Sequence, residues 1–153
     1  MSPNFSIKEY YLKDVFKAQV QLFDTPNPQV YTRIPHMFFR NSSVLLLIFD
    51  VTLKSSFERI SQISKNYVEQ LREKNEHPEI MIIGTKTDLD ESLRVVSYNE
   101  ALGLAFKQFD GSLYFELSNT DIKQPISVIW YCLIQRYLLQ QSLVHIQTDP
   151  TRL

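Results

Sequence analysis

The chain has 153 residues, 44% of them hydrophobic, with 17 acidic and 16 basic side chains and a formal net charge of -1. That length and balance fit one domain with a real core rather than a disordered chain, and the lack of clustered Lys and Arg argues against a nucleic-acid surface. A lone cysteine, Cys132, excludes an internal disulfide and a cysteine metal cluster, while His36, His77 and His145 show no ligand spacing, so no metal site is expected.

No apolar stretch reaches the roughly 20 residues that span a bilayer. Met1 to Tyr10 lacks the basic-then-apolar layout of a signal peptide. Asp149 to Leu153 has no cysteine for a prenyl group, so a cytoplasmic chain with no direct membrane anchor is expected. Glycine is scarce: Gly84, Gly103 and Gly111 are the only three, where average usage would give roughly eleven. None precedes residue 84, so the first half has no glycine-rich loop to wrap a phosphate.

In chain order, Phe5 to Leu12 and Ala18 to Phe23 bracket a polar connection containing Lys13 and Asp14, which predicts an antiparallel hairpin. Val44 to Phe49 is an apolar run closed by Asp50, too short for a typical helix, and reads as a strand buried on both faces. A helix is predicted from Ser55, with Glu58 completing a capping box, to about Lys74. Ile80 to Ile83 before Gly84 repeats the buried-strand pattern. A second helix opens at Ser97 with Glu100 as its box and runs to about Gln108, and Leu113 to Leu117 is a third strand. The last helix, about Ile122 to Leu143, carries Ile126, Ile129, Trp130, Leu133, Ile134, Tyr137 and Leu138 at helical spacing. Pro125 falls in its first turn, where a missing N–H does no harm, and Cys132 reads as a small packed hydrophobe within it. Alternation of strand and helix at these lengths implies right-handed crossovers and a parallel sheet, hence an α/β fold.

Ligands of such sheets bind beyond the carboxyl ends of the strands. Three of those ends read Asp24-Thr25-Pro26-Asn27-Pro28, Thr85-Lys86-Thr87-Asp88-Leu89 and Ser118-Asn119-Thr120. In order and spacing they resemble the last three nucleotide-binding boxes of Ras-like small GTPases. The Rab branch is the nearest, through Ile34-Pro35, Phe39 to Ser43, Asp50-Val51-Thr52 and Ser55-Ser56-Phe57. The resemblance covers about residues 5 to 140. It implies a three-layer domain of the P-loop NTPase type over residues 1–145, with 146–153 as a C-terminal tail. It also implies that the first βα unit, with its phosphate loop and first switch, is missing.

Carried over by residue, the resemblance makes Asp88 the carboxylate that accepts from guanine. Lys86 supplies the stem that covers the base, and Ser118 supports the loop. Thr85 stands where the family has asparagine, and Asn119 and Thr120 where it has alanine and lysine. Asp24 matches the aspartate that holds magnesium through water. Asn27 replaces the glycine that senses the terminal phosphate. Pro28 replaces the glutamine that orients the attacking water, a task for which proline has no donor or acceptor side chain. About four lost charge-assisted bonds to phosphate at roughly 1.5–3 kcal/mol each remove roughly 6–12 kcal/mol. These residues therefore predict an empty, vestigial guanine pocket, no cofactor, no catalytic residue and no enzyme.

A missing central strand would leave Ala18 to Phe23 and Val44 to Phe49 with open edges. The two strands pair directly, or a partner donates a strand, or the chain is an incomplete gene product. A missing first helix would uncover the stripe around Trp130, Leu133 and Tyr137, which with Tyr31 and Phe38 are the candidate partner-binding residues. The leading expectation is a non-catalytic, protein-binding or structural subunit of a larger assembly. One alternative is an N-terminally incomplete GTPase that binds GTP or GDP with magnesium as a switch in membrane traffic or ciliary transport. A second is a decoy that sequesters Rab effectors.

Overall fold

The computed structural model describes residues 4–12, 16–25, 41–63, 68–74, 76–120 and 126–148. The chain divides into two compact units, residues 1–41 and 42–153.

The first unit contains the hairpin: β1 (Asn4–Leu12) pairs antiparallel with β2 (Phe16–Asp24) from Asn4↔Asp24 to Leu12↔Phe16. Across one face of this ladder Glu9 and Lys17 form an ion pair at 2.7 Å, and the Lys17 ammonium lies 6.0 Å from the centre of the Tyr11 ring. The pair is exposed, so it contributes little stability.

The second unit is an α/β sandwich on a parallel sheet of order β3-β4-β5. The strands are β3 (Val44–Asp50), β4 (Glu79–Thr85) and β5 (Leu113–Leu117). The helices are α1 (Lys54–Ile63), α2 (Glu69–Glu73), α3 (Tyr98–Gln108) and α4 (Ile126–Thr148). Both sheets keep the expected antiparallel and parallel directions. The described ladders join β1 to β2, β3 to β4 and β4 to β5.

β4 is buried from Glu79 to Gly84, as befits a central strand covered on both faces. On one face Met81 and Ile83 join Ile129 and Leu133 of α4 in a buried cluster, with Val44, Leu46, Leu113, Phe115, Leu117 and Trp130 packed against it. On the other face Leu45, Leu47, Phe49, Ile80, Ile82 and Tyr114 are buried with Phe57 and Ile60 of α1 and Ala101 and Ala105 of α3. Phe49 stacks on Tyr114 with ring centres 6.2 Å apart and meets Phe57 at a tilt, 5.0 Å between centres. Helices therefore sit on both faces, the three layers that the sequence predicts. Cover on the α4 face ends before the far end of β3: Ile48, register partner of the buried Ile83, is 57% exposed.

Two helix starts test the capping signals. Ser97 caps α3, accepting the Glu100 N–H at 3.2 Å, as expected. The Glu100 carboxylate, however, pairs with Lys54 instead of returning to the cap. The box predicted at Ser55 does not start its helix, because α1 begins at Lys54. The neighbouring Ser56 hydroxyl accepts the Asp50 N–H at 3.0 Å and donates to the Leu53 carbonyl at 2.7 Å, tying the first turn of α1 to the end of β3. Residues 64–67, Pro125 and the loop at Lys13 and Asp14 lie outside the described residues. α4 continues through Thr148, past the helix end expected near Leu143. Its contact with the start of β4 includes an ion pair between Arg136 and Glu79, whose side chain is only 5% exposed. Among the described residues no helix is long and apolar enough to cross a membrane.

Candidate functional site

The carboxyl ends of the three parallel strands stop level with one another: Asp50 pairs in register with Thr85, and Thr85 with Leu117. Every guanine-pocket candidate of the second unit lies in this row or follows it within three positions. The row therefore delivers Lys86, Asp88 and Ser118 to one edge of the sheet, although the first two follow β4 and the third follows β5.

Asp88 and Ser118 meet there. The Ser118 hydroxyl donates to Asp88 Oδ1 at 2.6 Å and accepts the Thr120 N–H at 3.0 Å, with the Thr120 hydroxyl 2.8 Å away. The hydrogen bond from Ser118, then that from Thr120, holds the exposed Asp88 carboxyl below the usual aspartate value. Asp88 is thus ionised at neutral pH and fixed in orientation. A carboxylate offers several lone pairs beyond the one given to Ser118, which is the chemistry needed to accept two N–H bonds from one edge of a guanine. The residues present fit that base.

Thr85 and Lys86 are tied to β3. The Thr85 hydroxyl donates to the Phe49 carbonyl at 2.9 Å, and the Val51 N–H donates to the Thr85 carbonyl at 3.1 Å. Lys86 adopts φ 65°, a left-handed conformation that is strained for a lysine. Its ammonium lies 2.6 Å from Asp50 Oδ2. Burial pushes the Asp50 carboxyl up, but hydrogen bonds from Lys86 and Thr52 outweigh it and hold it below the ordinary range. Asn119 is exposed in the bend after Ser118.

Beneath the row lies a network that nothing in the local sequence signals. Arg94 makes two parallel bonds to Glu116, each 2.9 Å, and a third to the Val96 carbonyl at 3.1 Å. The Tyr114 hydroxyl donates to Glu116 Oε1 at 2.6 Å. Burial, then the Glu116 hydrogen bond, raises the Tyr114 pKa, and Arg94 is raised chiefly by Glu116. Glu116 lies two residues before Ser118, so this clamp sets the direction in which β5 delivers that serine. Gly84 allows the close approach on the β4 side: a Cβ there would meet the Tyr114 hydroxyl at 2.7 Å and Val51 Cγ1 at 3.0 Å.

The remaining expected residues are placed as follows. Asp24 closes β2 in the first unit and is exposed. Among the described residues no group of three or more His, Cys, Asp or Glu is arranged to hold a metal ion. Asn27, Pro28, Tyr31 and Phe38 lie outside the described residues. On α4, Leu133 is 2% exposed inside the core, and Trp130 packs against that cluster. Tyr137 is half-buried.

Comparison with known proteins gives the same frame. The model of the Ras family matches residues 3–137. The chain is 34% identical over 125 residues to Ras-related protein Rab-27A of Homo sapiens, a match covering 78% of this chain and 53% of that protein. It is 30% identical over 127 residues to human Ras-related protein Rab-17, covering 81% of this chain and 55% of the relative. Human Ras-related protein Rab-27B matches at 36% over 105 residues, 67% of this chain and 45% of that protein. The chain thus spans about half the length of the relatives it matches.

These findings correct the expectation of a chain that is not an enzyme. That expectation rested on a missing phosphate loop and on Pro28. The family matched over residues 3–137 is one of GTP-hydrolysing small GTPases, and nothing among the described residues shows that this chain lacks that activity. A sequence covering about half of its relatives decides nothing about residues beyond it. From the level row of strand ends, the paired Asp88 and Ser118, and the collinear match over most of its length, the chain belongs to the Ras family, in its Rab branch.

Proposed function

We propose that this chain supplies the guanine-reading side of a Rab-type small GTPase, a switch that binds GTP or GDP and engages protein partners. The observation that carries the reading is the 2.6 Å bond from Ser118 to Asp88, formed across 30 residues of sequence. It orients an ionised carboxylate beside the row of strand ends, which supports the reading. In this reading Asp88 accepts from guanine, the Lys86 stem covers the ring, and Ser118 fixes the loop. Thr85 replaces an amide tie with a hydroxyl tie to β3, and Asn119 borders the pocket. Asp24 is the residue proposed to face magnesium, which would supply charge neutralisation at the phosphates.

Base contacts alone are weak, since most nucleotide affinity in this family comes from phosphate. The test is therefore made with nucleosides. Guanosine is expected to shift the backbone amide resonances of residues 85–88 and 118–120 at millimolar concentration, with adenosine inactive and Asp88→Ala abolishing the response. Equal responses to both nucleosides would refute the reading.

The proposal of protein partners is supported by exposed apolar side chains. Ile48 on β3 and Ile126, Val128 and Leu139 on α4 are each about half exposed or more.

A further inference from the structure

We propose that Asp50 is a positioning residue for the guanine-reading loop, acting through Lys86. The inference rests on the reading above and extends it to a residue outside the three boxes.

Asp50 is itself held rigidly. Its Oδ1 accepts the Thr52 N–H at 2.8 Å and the Thr52 hydroxyl at 2.6 Å, and its own N–H is bonded to Ser56. Only 16% of its side chain is exposed, and the oxygen left over, Oδ2, faces the Lys86 ammonium at 2.6 Å. A largely buried carboxylate needs a cation or several donors, and Asp50 has both. Lys86, by contrast, is 58% exposed and sits on a backbone that lysine disfavours. Such a conformation persists when its surroundings over-determine it. Besides the Leu89 N–H on the Lys86 carbonyl, three of those surroundings come from one place: the Thr85 hydroxyl on the Phe49 carbonyl, the Thr85 carbonyl on the Val51 N–H, and the Lys86 ammonium on Asp50. Phe49, Asp50 and Val51, three consecutive residues at and just past the end of β3, thus fix the start of the turn.

The functional consequence follows from the chemistry of the lysine side chain. With its charged tip pinned at β3, its four-carbon stem is laid along the carboxyl ends of β3 and β4. It then presents apolar surface, and not an ammonium, toward a planar base. Freed from Asp50, the ammonium would turn to water and the stem would sample many rotamers, which an incoming base must then re-order.

The experiment uses the full chain and guanosine as the probe, followed by NMR, with Asp50→Asn, Lys86→Met and the double variant. Asp50→Asn is expected to weaken guanosine about five- to tenfold, since it keeps the acceptor for Thr52 but loses the charge that holds Lys86. In the Lys86→Met background the same change is expected to have no further effect, which a general loosening of the fold would not produce. A second measurement needs no ligand: the Asp50 carboxyl carbon should titrate at higher pH in Lys86→Met than in the parent chain. An unchanged Asp50 titration shows that the pair does not form, and overturns the proposal even where Asp50→Asn folds poorly. Guanosine binding that Asp50→Asn leaves intact overturns the inference alone. Absence of guanosine binding in the parent chain overturns the functional reading, and this inference with it.

Discussion

Replacing Arg94 with alanine is expected to be among the most damaging single changes outside the apolar core. Arg94 and Glu116 are 17% and 18% exposed and joined by two parallel bonds, so removal of the guanidinium leaves a mostly buried carboxylate facing only the Tyr114 hydroxyl. Breaking a buried pair from one side costs about 3–5 kcal/mol. Residual solvent access places this pair at the low end, and the lost bond to the Val96 carbonyl adds about 1 kcal/mol. With a urea dependence of about 2 kcal/mol per molar, a loss of about 3–4 kcal/mol lowers the unfolding midpoint by about 1.5–2 M. Arg94→Lys keeps the charge but loses the fork, so it should fall between the two. Urea titration followed by far-UV circular dichroism reads all three proteins. A midpoint shift below about 0.3 M for Arg94→Ala would refute the argument, because that is the range of an exposed surface pair.

The same clamp predicts an acid limb. Burial raises the Glu116 pKa, but bonds from Arg94 and Tyr114 outweigh it and leave the folded value lowered. Its contribution is therefore complete above the unfolded glutamate value of about 4.3 and is lost as pH falls through the lower folded value; thermal melts from pH 6 to 2 should show this, with a shallower fall in Arg94→Ala. Gly84→Ala should destabilise by about 1–3 kcal/mol through overpacking, and Tyr114→Phe should relieve part of that in a double-mutant cycle, since the hydroxyl is the nearest atom met. Leu133→Ala should cost about 2–5 kcal/mol as a buried cavity. Ile48→Ser should stay within about 0.5 kcal/mol in the isolated chain, and a large loss there would mean that Ile48 is covered.

The elements legible in the sequence were those that a local pattern specifies. Val44–Asp50 and Glu79–Thr85 stand out because both faces are apolar, and Ser97 because its hydroxyl has an N–H to cap three residues on. Asp88 and Ser118 were legible through the order of the boxes. The ties that shape the site were not. Lys86 reaches Asp50 and Arg94 reaches Glu116 across other elements, through contacts that leave no periodicity in the chain. The start of α1 was misplaced at Ser55 for a related reason: the serine that matters is Ser56, whose hydroxyl is taken up by Asp50 and Leu53. Polar residues near a helix start signal a cap only when no tertiary partner competes for them.

The level row of Asp50, Thr85 and Leu117 also bears on how such a chain can change over generations. A residue inserted within β4 would slip its register by one step and turn every side chain beyond it to the opposite face. Lys86 and Asp88 would then leave Asp50 and Ser118 together. The same insertion at 76–78, ahead of the strand, would be absorbed in a connection. Length variants of this site are therefore expected to collect before the strands and to be purged within them, whatever the composition of the inserted residue.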